Sequence, residues 1–468
     1  MVTSRTDRYR VRLGFAPTRR VVFSKEAAGN QKRIIEDWLR SRGIDLVNLD
    51  WLNEEGLLYN IQDARKVAER FRREEVDAIF CPHCNFGSED AVGELARLLR
   101  KPLLLWGPRD DAPLLDGSRL RDTQCGLFAT SKVLRRFGIP FTYIVNSDIN
   151  DEIFAKGFEN FMAAAGVVKA FRNLRIGQIS TRPAAFWSVI ANEGELLERF
   201  GIQIVPVDLT EIVGRADSKM ENNRDEVASV VEGFKAKADC SGVNQDLLQK
   251  IAALKLTIQE WASENGCSAI AMQCWSVLPK CFDILPCFII GELTDDGLPA
   301  ACETDIHGAI TSIMLQAAVR GVTPTFFADL TVRHPENDNG ELLWHCGPFP
   351  LSLKKENSRA SVVGKGLGQC EIRGGDITIA RFDGDHGEYS LLMGHVRGIP
   401  GPKTTGTYVW VEADDWPKWE KAFIYGPYIH HVAGVHGRVA PVLYEACRYI
   451  PGLRPDPIGM KEGHRPHA

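Results

Sequence analysis

Short apolar runs alternate with amphipathic helical patterns in the first third of this chain, and that alternation constrains its fold most. Val11 to Ala16 reads as a strand, and Glu26 to Arg42 as a helix with Ile34, Ile35, Trp38 and Leu39 on one face. Gly43 stops that helix, and Ile44 to Leu49 is a second strand. A helix from Ile61 to Arg73 precedes Val76 to Cys81, an apolar run of the kind that a parallel sheet buries on both faces. Ser88, with Asp90 in the first turn, is placed to N-cap the next helix, and Leu103 to Trp106 is a further buried strand. Strand then helix, repeated, predicts a doubly wound parallel sheet. Its loops share one rim, carrying Thr18 and Arg19, then His83 to Gly87, then Gly107 to Asp111. Arg109, Arg119 and Arg121 are placed there to orient an oxygen-rich or anionic ligand.

The pattern restarts near Asn173. Leu174 to Ser180 is a strand, Phe186 to Phe200 a helix and Ile202 to Val207 a strand. A charged helical stretch from Lys219 to Ala238, a helix from Gln245 to Asn265 and a strand from Ala269 to Gln273 follow. Beyond about Leu343 the runs become short and alternating, at Ala360 to Val363, Cys370 to Ile372, Asp376 to Phe382, Tyr389 to Val396 and Thr407 to Glu412. GG, DG and HG pairs break them, as in an antiparallel sheet or barrel. His430, His431 and His436 precede a helix from Val439 to Tyr449, and the tail after Pro451 is expected to be loosely held. The expected fold is α/β: two doubly wound parallel-sheet domains, residues 1–172 and 173–342, then a C-terminal antiparallel β-barrel-like domain, residues 343–468. A chain of 468 residues exceeds what one core organises, which agrees with several domains.

Composition removes other classes. The net charge is -5 with basic residues spread out, so no nucleic-acid partner is expected. No stretch approaches the roughly 18 apolar residues of a membrane span. With no secretory h-region at the N-terminus, a cytoplasmic location is expected. The 12 cysteines are irregularly placed and expected to be buried thiols, and the lone Cys81-x-x-Cys84 is weak as a zinc motif. No GxxxxGK[ST] or GxGxxG follows a strand, so neither a nucleoside triphosphate nor a dinucleotide is indicated.

The chemistry-bearing stretch runs from Pro299 to Pro335. Ile310, Ile313, Met314, Ala317 and Ala318 recur at helical spacing, so about Asp305 to Arg320 reads as a buried helix ended by Gly321. Glu303 opens that pattern, and Asp329 closes the strand-like run Thr325 to Ala328. A carboxylate at a strand's carboxyl end faces the ligand crevice of an α/β sheet. His345 and His431 follow within about 130 residues, most of them near a turn. Carboxylate oxygen with imidazole nitrogen suits Mn²⁺ or a similar divalent ion better than structural zinc. Gln273, Trp275 and Trp410 are candidate sugar contacts, since hydroxyls pair with amides and sugar C–H faces stack on indoles.

ACETDIHGAIT and FFADLT, whose acids are 26 residues apart, resemble the paired carboxylate motifs of the L-fucose isomerase and L-arabinose isomerase superfamily. WHCGPFP around His345, the IHH doublet at His430 and His431, VDAIFCPHCNFG and LLLWG are similar to further motifs of the same enzymes. The resemblance implies a Mn²⁺-dependent ketol isomerase. It implies Glu303, Asp329 and His431 as metal ligands, His345 as a fourth, and the two acids as the catalytic pair that moves a proton through an enediol. It also implies a homo-oligomer, trimeric or hexameric, in which His83, Asn85 and Trp106 reach a neighbouring subunit's site. With Arg19 on the rim, the arginine-bearing loops leave room for an anionic sugar, including a sulfonated one. Two other readings share these residues: a sugar-binding or regulatory protein on the same fold, and a metal-dependent sugar epimerase or lyase.

Overall fold

The structure is a computed structural model that describes residues 6–172 and 174–459; residue 173, at the expected domain boundary, and the tail beyond 459 lie outside the described residues. It divides into two compact units, Arg10–Lys169 and Met1–Tyr9 with Ala170–Ala468.

In the Arg10–Lys169 unit, β1 (Arg12–Phe15), β2 (Asp45–Val47), β3 (Ala78–Pro82), β4 (Leu103–Trp106) and β5 (Thr142–Tyr143) form one parallel sheet in the order β2-β1-β3-β4-β5. The helices Lys25–Ser41, Ile61–Arg73, Glu89–Leu99 and Thr123–Arg136 alternate with the strands, as the periodicity predicts. Glycine decides one contact: a Cβ on Gly14 of β1 would run into the Phe71 ring, so only glycine lets the helix Ile61–Arg73 lie this close to the sheet. Ser88 stands at the N-cap but does not cap with its side chain. Its hydroxyl donates to the Arg19 carbonyl at 2.8 Å, tying the first rim loop to the third helix instead.

The second unit holds a parallel sheet and a barrel. β6 (Arg175–Ile179), β7 (Gln203–Val207), β9 (Ala269–Met272) and β10 (Ala300–Cys302) are parallel in the order β10-β9-β6-β7, while β8 (Asp239–Gly242) pairs elsewhere. The expected helix from Phe186 to Phe200 is instead a short 3-10 turn, Trp187–Val189, followed by the helix Glu193–Phe200. Asn192 starts that helix afresh by accepting from the Glu195 N–H at 3.2 Å.

The remaining strands are β11 (Phe326–His334), β12 (Asn337–His345), β13 (Ser361–Val363), β14 (Leu367–Glu371), β15 (Gly375–Asp385), β16 (Glu388–Ile399), β17 (Thr407–Glu412), β18 (His431–His436) and β19 (Leu453–Ile458). Six of them, in the order β16-β15-β18-β11-β12-β17, close into an antiparallel barrel when β17 pairs back onto β16 at Arg397 and Glu412. The barrel therefore begins at Phe326, ahead of the first turn-broken run, with β11 and β12 joined as an antiparallel hairpin through the turn at Pro335 and Glu336. The segment after Pro451, expected to be loose, adds β19 parallel to β16. Phe326, Ala328, Leu343, Ile377, Ile379 and Val409 fill the barrel's core.

The helix Ile306–Ala318 packs on β9, β15 and β18, and all 13 of its residues are buried. Two of its hydroxyls are satisfied: Thr311 donates to the His307 carbonyl at 2.7 Å and accepts the Phe382 N–H at 2.9 Å, and Ser312 donates to the Gly308 carbonyl at 3.0 Å, whereas the buried amide of Gln316 has no partner among the described residues. Burial of Ile310, Ile313 and Met314, at about 2 kcal/mol each, helps offset the cost of the charges held at the helix start. Among the described residues no helix is long and apolar enough to cross a membrane.

Candidate active site

Glu303 does not cap the helix. It sits in the turn after β10 with φ of 61°, followed by Thr304 at 59°. Two successive non-glycine residues in the left-handed region, one β-branched, cost on the order of 1–3 kcal/mol each. Three bonds hold the turn: Thr304 N–H to the Met272 carbonyl and Asp305 N–H to the Cys302 carbonyl, both 3.1 Å, and Gly308 N–H to Asp305 Oδ1 at 2.9 Å. Asp305, two residues after the expected acid, is the true N-cap. Glycine is needed at 308, where a Cβ would meet the Phe327 ring and the Asp305 carboxylate.

Asp329 likewise differs from its expected setting. It is not at the end of a parallel strand but within the nine-residue β11, where its register partners are His431 on β18 and Trp344 on β12. Directly opposed residues on antiparallel strands share a face, so the barrel's register brings together two residues that lie about a hundred positions apart.

The four candidates converge. His431 Nε2 lies 3.0 Å from Glu303 Oε2 and 3.5 Å from Asp329 Oδ1, and His345 Nε2 lies 3.9 Å from Asp329 Oδ1. Ligand atoms of Glu303, His345 and His431 are all within 4.8 Å of one another, and so are those of Asp329, His430 and His431. Asp329 Oδ1 and His345 Nε2 are buried without a hydrogen-bond partner among the described residues, and the buried His431 Nε2 faces only the two acids. Buried, unpartnered oxygen and nitrogen atoms pointing at one spot fit a divalent cation.

Behind them stands a charged network that the motifs do not announce. Asp305 Oδ2 bonds His431 Nδ1 at 2.9 Å, fixing the ring so that Nε2 faces the two acids. Arg381, fully buried, pairs with Asp305 and with Asp383 at 2.8 Å, and Asp383 in turn holds His307 Nδ1 at 2.9 Å. Burial opposes the Asp305 charge, yet Arg381 and His431 hold its carboxyl far below the usual carboxylate range. For His431, burial is again the largest influence, but Asp305, Glu303 and Asp329 outweigh it and push the imidazole up to about 9. Burial and the neighbouring His431 charge lower His430. Arg381 left a trace in the sequence, an arginine in phase with Ile377 and Ile379 and flanked by Ala380 and Phe382. Asp305 left only its closeness to Glu303.

The other candidates are distributed unevenly. Trp275 donates Nε1–H to Glu303 Oε1 at 3.1 Å, and Phe186 packs against both Trp275 and His431. Gln273 donates to the Thr181 carbonyl at 2.6 Å and keeps a buried Oε1 without a partner among the described residues. Trp410 is not brought to this centre: its Nε1–H goes to the Pro402 carbonyl and its ring packs with Leu342, Tyr408 and His334. Arg19, His83 and Asn85 belong to the other unit. There Arg19 pairs with Glu55 at 2.5 Å, Asn85 Oδ1 accepts the Arg20 N–H at 2.8 Å, and His83 Nδ1 bonds the Phe86 carbonyl at 2.6 Å. Trp106 is fully buried and donates to the Ser147 hydroxyl at 3.2 Å. Of the three rim arginines, Arg119 pairs with Asp122 and Arg121 with Asp111. Cys81 and Cys84 are fully buried, and burial raises the Cys84 thiol to about 12.

The chain is similar to known proteins over most of its length. Residues 14–172 match the family described as fucose/sulfoquinovose isomerase, N-terminal domain. Sulfoquinovose isomerases from Priestia aryabhattai and Priestia megaterium are each 24% identical over 447 residues, 93% of this chain and 97% of theirs. One from Alkalicoccus urumqiensis is 26% identical over 325 residues, 68% of this chain and 71% of its own.

Proposed function

We propose that this chain is a fucose isomerase-like protein, a metal-dependent aldose–ketose isomerase whose substrate is a sulfonated monosaccharide. The single observation that carries the reading is that two candidate ligand sets, Glu303 with His345 and His431 and Asp329 with His430 and His431, meet at the buried His431 ring. Glu303, Asp329 and His431 would hold Mn²⁺, with His345 as a fourth ligand; the ion supplies electrostatic stabilisation of the negative charge that develops on the two sugar oxygens.

Interconversion needs a proton moved between C1 and C2 and another between O1 and O2. A carboxylate on either side of the sugar can take and return the carbon-bound proton, and Glu303 and Asp329 reach the centre from different elements, a strained turn and a barrel strand. Trp275 steadies the Glu303 carboxylate through Oε1, and Phe186 packs edge-on against the Trp275 ring. A cavity of about 220 Å³ lined by Gln178, Arg182, Glu193 and Thr304 adjoins Glu303 along the chain. Arg182 spends Nη1 on the carbonyls of Pro183 and Ala184, which fixes its guanidinium, and its other donors are suited to a sulfonate. The same reading includes a cytoplasmic homo-oligomer with the site at a subunit interface.

The test is a screen of aldoses and their sulfonated analogues with added Mn²⁺, following solvent deuterium into C1 or C2. Isomerisation of a sulfonated aldose with deuterium incorporation is expected. Exchange without net isomerisation would instead favour an epimerase or lyase, and binding without exchange a sugar-binding protein.

A further inference from the structure

Beside the carboxylate centre lies a cluster of thiols that the isomerisation does not use, and it shares His345 with that centre. Cys302 ends β10 just before Glu303, Cys346 follows His345 just after β12, and Cys287 begins the helix Cys287–Asp295. Cys287 Sγ and Cys346 Sγ are 3.1 Å apart, and His345 Nδ1 is 3.2 Å from Cys346 Sγ. Ligand atoms of Cys302, His345 and Cys346 lie within 4.8 Å of one another. All three thiols are free; Cys287 and Cys302 are buried, while Cys346 is half-buried and gives an ion a way in.

Three sulfurs and one imidazole nitrogen, without a carboxylate, form the donor set of a soft or borderline ion and not of Mn²⁺. A tetrahedral ion with metal–sulfur bonds of about 2.3 Å sets its ligand atoms about 3.7 Å apart, within the spread that these atoms already span. We propose that Cys287, Cys302, Cys346 and His345 form a binding site for a thiophilic divalent ion such as Zn²⁺ or Cd²⁺. On binding, the ligating thiols release their protons to solvent, and His345 turns to the ion the Nδ1 lone pair that otherwise accepts the Cys346 N–H at 2.9 Å, with its ring proton on Nε2.

That second consequence links the two sites. Neutral His345 can present one lone pair at a time, either Nδ1 toward Cys346 or Nε2 toward Asp329. An ion among the thiols therefore removes His345 from the carboxylate centre and weakens Mn²⁺ there. This link rests on the function proposed above; the thiol site itself does not.

The experiment titrates the reduced, metal-free full chain with Cd²⁺ and follows the ultraviolet thiolate-to-cadmium charge-transfer band. A band saturating at one equivalent is expected, with an X-ray absorption spectrum showing sulfur and one nitrogen ligand. Its loss is expected in Cys346→Ser, which is half-buried and near-isosteric, and in Cys302→Ser. A missing band, a band unchanged in both variants, or a sulfur-only shell would overturn the site. The Mn²⁺ affinity of the Cd²⁺-loaded chain, read by paramagnetic resonance of free Mn²⁺, should fall about tenfold; an unchanged affinity would overturn the sharing of His345. Neither readout depends on turnover, so failure of the isomerase reading is detected separately.

Discussion

Asp305→Asn isolates what the hidden network does for the site. Asp305 touches no substrate; it acts through His431, and asparagine keeps its shape and can still accept the Gly308 N–H as an N-cap. What is lost is the charge behind the 2.9 Å bond to His431 Nδ1. Hydrogen bonds to charged groups contribute about 1.5–3 kcal/mol. At about 1.4 kcal/mol per tenfold, Mn²⁺ affinity should drop roughly 10- to 100-fold, the range found when a histidine ligand loses its supporting carboxylate. The fold should weaken as well. Breaking a buried ion pair costs about 3–5 kcal/mol, and Arg381 keeps Asp383 at 2.8 Å, so the lower end is expected. Paramagnetic resonance of free Mn²⁺ gives the affinity, and urea unfolding of the metal-free chain gives the stability. A folded variant that binds Mn²⁺ within twofold of the parent would refute the positioning role. A structural role alone would lower the urea midpoint and leave the metal affinity untouched.

Glu303→Gln and Asp329→Asn should each lose turnover by at least about 100-fold with the fold retained, as judged by circular dichroism and deuterium exchange into substrate, because either change removes a proton carrier. Arg182→Met should raise KM for a sulfonated sugar while leaving that for an uncharged aldose near the parent value; equal effects on both would remove Arg182 from anion recognition. Glu341 supplies a pH test away from the site. Burial pushes its carboxyl up from 4.5 to about 7, so the folded chain binds this proton more tightly than the unfolded one. Its stabilising contribution is full below about pH 4.5 and is lost as pH rises toward about 7, a swing of up to about 3 kcal/mol. Glu341→Gln should therefore raise the urea midpoint at about pH 8 and leave it nearly unchanged at about pH 4.5; a gain of equal size at both would refute the assignment.

Local signals were sufficient wherever a segment's partners are its near neighbours. Alternating strands and helices from Arg12 to Arg136 sit close to their expected bounds, because apolar periodicity and glycine stops act within a few residues. The pairing of Glu303 with Asp329 and the histidines was legible as motifs. Their setting was not. Whether Asp329 ends a parallel strand or lies within a barrel strand depends on the β11–β18 register, set by pairing across a hundred residues. Helix periodicity could not show that Glu303 and Thr304 adopt left-handed backbone, a strain that only the surrounding packing can hold. Asp305 and Arg381 are 76 residues apart, and an isolated arginine in a strand does not name the carboxylate it will meet. The sequence determined which elements form and which residue types could do the chemistry. Tertiary structure alone decided which buried charges compensate one another, and through them which way the His431 ring faces.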